Sequence, residues 1–301
     1  MERIKQALEK ARLQRQQQGA AATSSRAVAA TATGPMNYTH TRTVETDKQN
    51  LRERRIITGY EQNMFTDAYK ILRTQVFQRL RDNGWNSLVI TSPGDHEGKT
   101  LTAVNLAISL AMEVDYTVLL VDADLRQPSV HTAFGIDAQY GLSDYLTDDM
   151  PLNELLVHPA DIPHLVLLPG GKPLVNSSEM LNSPKMSRLV GELKKRYPTR
   201  IILFDLPPLL TTADAMAFIP HADAALLVVE EGKTQTDALM RAVGLLQGTN
   251  LLGTVLNKTW VNTPDAEDLP SLAWPQRLQS GAQHLRDLFA RWSDRARSGR
   301  Q

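Results

Sequence analysis

The sequence predicts an α/β domain, a three-layer, doubly wound and mostly parallel sheet, on three observations. Short runs of Val, Ile and Leu alternate along the chain with longer segments of helical periodicity. Those runs lack polar alternation, as strands do when helices cover both faces of a parallel sheet. The first of them leads into a loop ending Gly98-Lys99-Thr100, and in such folds a ligand sits beyond the carboxyl ends of the strands.

The elements follow in order. Phe65, Ala68, Tyr69, Leu72, Val76 and Leu80 recur at helical spacing and predict a helix over 62–82. Strands are expected near 87–92, 117–122, 165–168, 201–205, 223–229 and 251–256, with helices near 99–113, 150–157, 185–196, 212–219 and 234–247. Ahead of this domain, residues 1–18 place Ile4, Ala7, Leu8 and Ala11 on one face of a short amphipathic helix. A stretch rich in Ala, Thr and Ser then reads as a flexible linker, so that 19–59 joins the helix to a domain over 60–260. Residues 261–301 form a polar, proline-bearing tail. Within it Leu278, Leu285, Leu288, Phe289 and Trp292 share a side, accompanied by Arg286, Arg291, Arg295 and Arg297. Each terminal helix can dock on a partner or an anionic membrane surface; the plainer alternatives are a frayed N-terminal helix and a C-terminal helix folded back on its own domain.

Composition narrows the classes. With 301 residues and 42% hydrophobic content the chain can bury one sizeable core. Its 33 basic and 33 acidic side chains balance, so no global field points to nucleic acid. Cysteine is absent, which excludes disulfide, thiolate-zinc and thiol-nucleophile chemistry and is compatible with the cytosol. No apolar run approaches the roughly 18 residues that span a bilayer, and a soluble protein is expected.

The chemistry-bearing residues lie at predicted strand ends. In SLVITSPGDHEGKT, residues 87–100, Gly94, Asp95, His96, Glu97 and Gly98 form a loop whose N–H groups can converge on phosphates. Lys99 supplies a cation, Thr100 a hydroxyl for Mg²⁺, and Leu101 continues into the helix whose N-terminus faces the anion. Three residues separate Gly94 from Gly98 where the standard loop has four; an ordinary strand-to-helix turn is the plainer reading of that segment alone. In VLLVDADLRQP, residues 118–128, alternation puts Asp122 and Asp124 on one side of the sheet edge. There they can hold Mg²⁺ and take a proton from an attacking hydroxyl or water. Arg126 can pair with either carboxylate or reach a phosphate. In IILFDLPP, residues 201–208, four apolar residues deliver Asp205 to a strand end, a position from which an aspartate holds Mg²⁺ directly or through water. Asp214 either lines the same site or serves as a cap or surface residue, and Asn257 sits where an amide can read a base edge. The set calls for ATP and Mg²⁺.

These three motifs, in this order, resemble the Walker A, A′ and B motifs of bacterial tyrosine kinases that control capsule and exopolysaccharide synthesis. GLSDYL at 141–146, LLPGGKPLVNSSEML at 167–181 and GTVLN at 253–257 extend the likeness over roughly 60–260. The N-terminal IKQALEKAR is similar to that of the subgroup associated with exosortase-linked clusters. The resemblance implies a P-loop NTPase-like fold of the deviant Walker branch that also holds the septum-positioning and partition ATPases (MinD- and ParA-like). Those ATPases carry a signature lysine early in the loop, where this chain has Gly94. It further implies autophosphorylation on tyrosine, catalysis by Lys99, Asp122, Asp124 and Asp205, and activation by the cytosolic tail of a membrane chain-length regulator, a polysaccharide co-polymerase. The location implied is cytoplasmic, at the inner face of the plasma membrane. DAYKILRTQ at 67–75 resembles the family's oligomerisation motif, with Asp67 and Lys70 replacing the usual Glu and first Arg and Arg73 kept; a homo-oligomeric ring is implied. The family's C-terminal tyrosine cluster is missing, because the last tyrosine is Tyr197. The acceptor is then elsewhere, with Tyr38 the most accessible candidate in the chain, or on another protein, or the domain is an ATPase or ATP-sensing regulator.

Overall fold

The computed structural model describes residues 41–58, 63–113, 115–196 and 199–259. The expected terminal helices, Tyr38 and Tyr197 lie outside them. Eight strands form one sheet: β1 (Arg42–Val44), β2 (Ser87–Thr91), β3 (Thr117–Asp122), β4 (Val157–Pro159), β5 (Leu165–Leu168), β6 (Arg200–Asp205), β7 (Ala224–Glu230) and β8 (Leu251–Asn257). Their spatial order is β1-β4-β5-β3-β6-β2-β7-β8. Every pairing is parallel except β4 with β5.

The unbroken apolar runs are explained by which side chain faces where. In β2, Leu88 and Ile90 enter one core layer and Val89 the other; in β3, Val118 and Leu120 oppose Leu119 and Val121; in β6, Ile201 and Leu203 oppose Ile202 and Phe204. Successive side chains point to opposite faces, and both faces are covered, so no position favours a polar residue. The first layer takes α1 (Lys48–Glu53), α2 (Met64–Asn83) and α3 (Lys99–Ala111). The second takes α5 (Leu142–Asp148), α8 (Pro184–Arg196), α9 (Asp214–Phe218) and α10 (Thr236–Leu245), while short helices α4 (Val130–Ala133), α6 (Leu152–Leu155) and α7 (Ser177–Leu181) fill the connections.

The predicted strands and longer helices stand where expected, within a few residues. α2 starts at Met64 because the Asn63 side chain accepts the Thr66 N–H, and it ends where Gly84 turns left-handed at φ 68°. Two expectations are corrected. The flexible linker does not extend to residue 59: β1 joins the sheet beside β4, and Leu51, Ile56 and Ile57 are buried in the first core layer. The helix expected over 150–157 shrinks to the single turn α6, because Val157–Pro159 leaves it to pair with β1 and β5.

Candidate functional site

Three parallel strands, β3, β6 and β2, lie side by side and end together, with Asp122 opposite Asp205 and Ile90 opposite Asp205 in register. Alternating cores on both faces hold these ends rigidly, so the residues that follow them are placed by the sheet rather than by the loops.

The loop after β2 delivers Gly98 as the N-cap of α3, with φ 93° and no side-chain cap. The first N–H groups of a 13-residue helix are therefore left for an outside acceptor. Gly98 is required on two counts: its backbone is left-handed, and a Cβ there would stand 2.1 Å from the Asn257 amide nitrogen. Gly94 differs from expectation, since a Cβ would meet nothing closer than 3.6 Å and its φ is not positive. The left-handed turn falls instead on His96, at φ 63°.

Behind the loop the sequence-predicted groups converge. Lys99 Nζ donates to Asp124 Oδ2 at 2.8 Å and lies 4.0 Å from Asp205 Oδ1. Thr100 Oγ1 donates to Asp205 Oδ2 at 2.6 Å. Asp122 accepts the Ser129 and Val130 N–H groups on Oδ2 at 2.8 and 2.9 Å, and the Asp124 N–H on Oδ1 at 3.3 Å. The two alternating aspartates thus have different work: Asp124 holds the lysine, and Asp122 closes the turn into α4.

Asp122 and Asp205 are both completely buried. Burial, aided by the Asp205 charge, pushes the Asp122 carboxyl up to about 8, against the pull of its two backbone donors. Burial also raises Asp205, more than Lys99 and Thr100 lower it. Burial pushes Lys99 down, but Asp205 and Asp124 outweigh it and hold the ammonium above the usual lysine range. The cluster is short of positive charge, and Asp205 Oδ1 is buried with no hydrogen-bond partner. A hydroxyl and buried carboxylates are hard oxygen donors, so Thr100, Asp205 and Asp122 fit a Mg²⁺ ion.

For Arg126 the expected pairing with a neighbouring carboxylate is corrected. Its side chain pairs with neither Asp122 nor Asp124; its Nε donates to both oxygens of Asp214 at 3.1 and 3.2 Å. Asp214 is completely buried and also accepts the Ser177 hydroxyl, so it is neither a cap nor a surface residue. Leu101 belongs to the core side of α3. Asp95 and His96 are exposed, Asp95 accepting from Thr211 at 3.4 Å. Asn257 donates to the Glu97 carbonyl at 2.9 Å.

Sequence reasoning missed the braces behind the loop. Thr234 donates to Glu97 Oε1 at 2.7 Å, and Lys258 donates to the His96 carbonyl at 2.7 Å and to Glu230 at 2.9 Å. Burial raises the Glu97 carboxyl despite the Thr234 bond. Thr234 stands 137 residues from Glu97, so no local spacing signals this contact. The residues expected to mediate oligomerisation divide: Lys70 pairs with Asp67 at 2.8 Å on the exposed side of α2, while Arg73 reaches the Ser109 carbonyl and Glu113 at the end of α3.

Comparison with known proteins agrees with this geometry. Residues 95–257 match the family described as AAA domain. Tyrosine-protein kinase YwqD of Bacillus subtilis is 35% identical over 208 residues, covering 68% of this chain and 86% of that protein. The kinase domain of Escherichia coli tyrosine kinase ETK superposes with a TM-score of 0.63 at 25% identity, over 79% of this chain and 95% of that one. The septum site-determining protein MinD of Pyrococcus horikoshii, complexed with Mg-ADP, gives a TM-score of 0.50 at 25% identity, over 62% and 74%.

Proposed function

The chain belongs to the bacterial tyrosine-protein kinases with an AAA domain, and on that premise we propose that it transfers the γ-phosphoryl group of ATP to tyrosine hydroxyls in the control of exopolysaccharide synthesis and export. The observation that carries the assignment is the Thr100–Asp205 hydrogen bond beside an Asp205 oxygen that has no hydrogen-bond partner, one residue from the half-buried Lys99.

In this reading the loop from Gly94 to Thr100 cradles the phosphates with its N–H groups, and Arg126 and Asn257 border the nucleotide. Thr100, Asp205 and Asp122 would hold Mg²⁺, which when bound would supply positive charge for the phosphate oxygens. Lys99, positioned by Asp124, faces the negative charge that develops on the transferring group. Asp122 accepts the proton of the tyrosine hydroxyl on Oδ1, whose only other bond is the long one from the Asp124 N–H. The bond from phosphorus to the tyrosine oxygen forms as the bond to the ADP oxygen breaks. Water exclusion falls to the sheet and its loops, since all three carboxylates are buried.

The kinase domain is assigned to 60–260, with residues 41–58 packed on it. Residues 1–18 and 261–301 are assigned to docking at the inner face of the plasma membrane, where the cytosolic tail of a polysaccharide co-polymerase is the activator. Among the described residues no helix is long and apolar enough to cross a membrane. Asp67 and Lys70, exposed on α2, are the ring-forming charges, with Arg73 anchoring that helix to α3. A second reading, an ATPase regulator that does not phosphorylate tyrosine, draws on the absence of tyrosine from residues 198–301.

Incubation with γ-labelled ATP and Mg²⁺, with and without the co-polymerase tail, decides between them by mass spectrometry. Phosphotyrosine that disappears in Lys99→Met is the expected result. Phosphate release without phosphotyrosine moves the assignment to the ATPase reading, and turnover unaffected by Lys99→Met removes the loop assignment altogether.

A further inference from the structure

A cleft of about 700 Å³ opens between the end of α2, α8 and the amino-terminal ends of β2 and β6, the end of the sheet opposite the phosphate loop. That volume is in the range of small-molecule sites and exceeds what a single phosphate needs. Arg81, Lys194, Lys195 and Arg200 line it, against one carboxylate, Asp223. Asp223 is already engaged by Lys194 and by the Ser87 hydroxyl. Arg81 and Lys195 have no hydrogen-bond or ion-pair partner among the described residues. Arg81 and Lys195, both exposed, therefore add positive charge at the mouth of a concave space beyond what Asp223 answers, and a concave lining of one sign acts on an anion more strongly than a flat surface.

Two further features shape what would enter. Trp85 lies half-buried in the same lining as the cations and offers an aromatic surface to the cleft. His221 presents a buried Nε2 with no hydrogen-bond partner, and burial holds its imidazole below the usual range. The neutral imidazole adds no charge to the wall, so the cations set its sign.

We propose that this cleft is a second ligand site, separate from the phosphate loop, for a diphosphate carrying a planar ring, a ligand of the nucleoside diphosphate class. The diphosphate answers the excess of cations around Arg81 and Lys195, and the ring lies against Trp85. This assignment does not depend on tyrosine phosphorylation at the other end of the sheet.

The test uses the full chain with its phosphate-loop site filled by one molar equivalent of Mg-ADP, which leaves none to occupy the second site, titrated with uridine diphosphate and, separately, with pyrophosphate, by calorimetry and tryptophan fluorescence. The expected result is one saturable site for uridine diphosphate in the presence of Mg-ADP. Its fluorescence change should be absent in Trp85→Phe, and its affinity about tenfold lower in the Arg81→Glu/Lys195→Glu double variant. Circular dichroism and Mg-ADP affinity verify that the double variant is folded. Pyrophosphate should compete, and bind more weakly. Absence of a second saturable site, an unchanged affinity in a folded double variant, pyrophosphate binding as tightly as uridine diphosphate, or displacement by polyglutamate at equal affinity would each overturn the proposal.

Discussion

At the two ends of the central strands, aspartates of the same sheet live in opposite conditions. At the carboxyl end Asp122 and Asp205 are completely buried, side by side, and pushed up in pKa. At the amino end Asp223 sits before β7, and although burial works to raise it, Lys194, Ser87 and the Asn86 N–H outweigh that effect and hold it below the usual carboxylate range. Asp223 is a fully answered charge that ties β2, α8 and β7 together. The carboxyl-end pair is under-answered, with one oxygen lacking a hydrogen-bond partner. Unsatisfied buried charge is costly, and its concentration beside Lys99 and Thr100 marks the end of the sheet where an outside cation and phosphates are awaited.

The contrast can be broken by experiment. Its largest expected effect is in Asp205→Asn, which should lower phosphoryl transfer by about 10²–10³-fold while leaving the unfolding midpoint of the metal-free protein unchanged or raised, because an amide replaces a carboxylate that burial disfavours. Asp223→Ala should do the reverse in stability, costing about 2–4 kcal/mol in urea denaturation, since four donors, the Asn86 and Ser87 N–H groups, the Ser87 hydroxyl and the Lys194 ammonium, lose a charged acceptor. Equal losses of stability in the two variants would erase the distinction.

A pH series sharpens it further. Asp122 has a folded pKa of about 8 against the ordinary aspartate value of 3.8, so between those values the native state binds more protons than the unfolded state. Stability of the metal-free protein should therefore fall as pH rises through that window, and Asp122→Asn should flatten the slope. Asp223 runs the other way: its contribution is full above the ordinary carboxylate pKa and is lost as pH falls through its depressed value. Thermal unfolding from pH 3 to 9 reads both arms, and a slope unchanged in Asp122→Asn would show that the buried pair does not carry the strain. The smallest effect is expected at Asn257→Ala, which removes one bond to the Glu97 carbonyl. It should weaken nucleotide binding by about 1 kcal/mol, roughly fivefold, by equilibrium titration.

How much of this was legible beforehand follows from the range of the interactions. Apolar runs such as 118–121 and 201–204 declare strands buried on two faces because burial needs only the local residue types. The loop ending Gly98-Lys99-Thr100 declares a phosphate site because glycine, lysine and threonine are each needed for a local reason. β1 and α1 were not legible, since Arg42–Val44 is polar in part and becomes a strand only because β4 offers an edge. The bond from Thr234 to Glu97 and the pairing of Arg126 with Asp214 were out of reach for the same reason, as each joins residues far apart in the chain.

The sequence by itself determined the layered fold, the succession of its main strands along the chain, and the placing of Lys99 and Thr100 at a helix start and of Asp122, Asp124 and Asp205 at strand ends, because backbone periodicity and side-chain type act over a few residues. Tertiary structure alone decided which aspartate holds the lysine, which closes a turn, and which keeps an oxygen free. Those assignments depend on strand register and on donors brought from distant segments, and the energy of a buried charge is set by all of its neighbours at once.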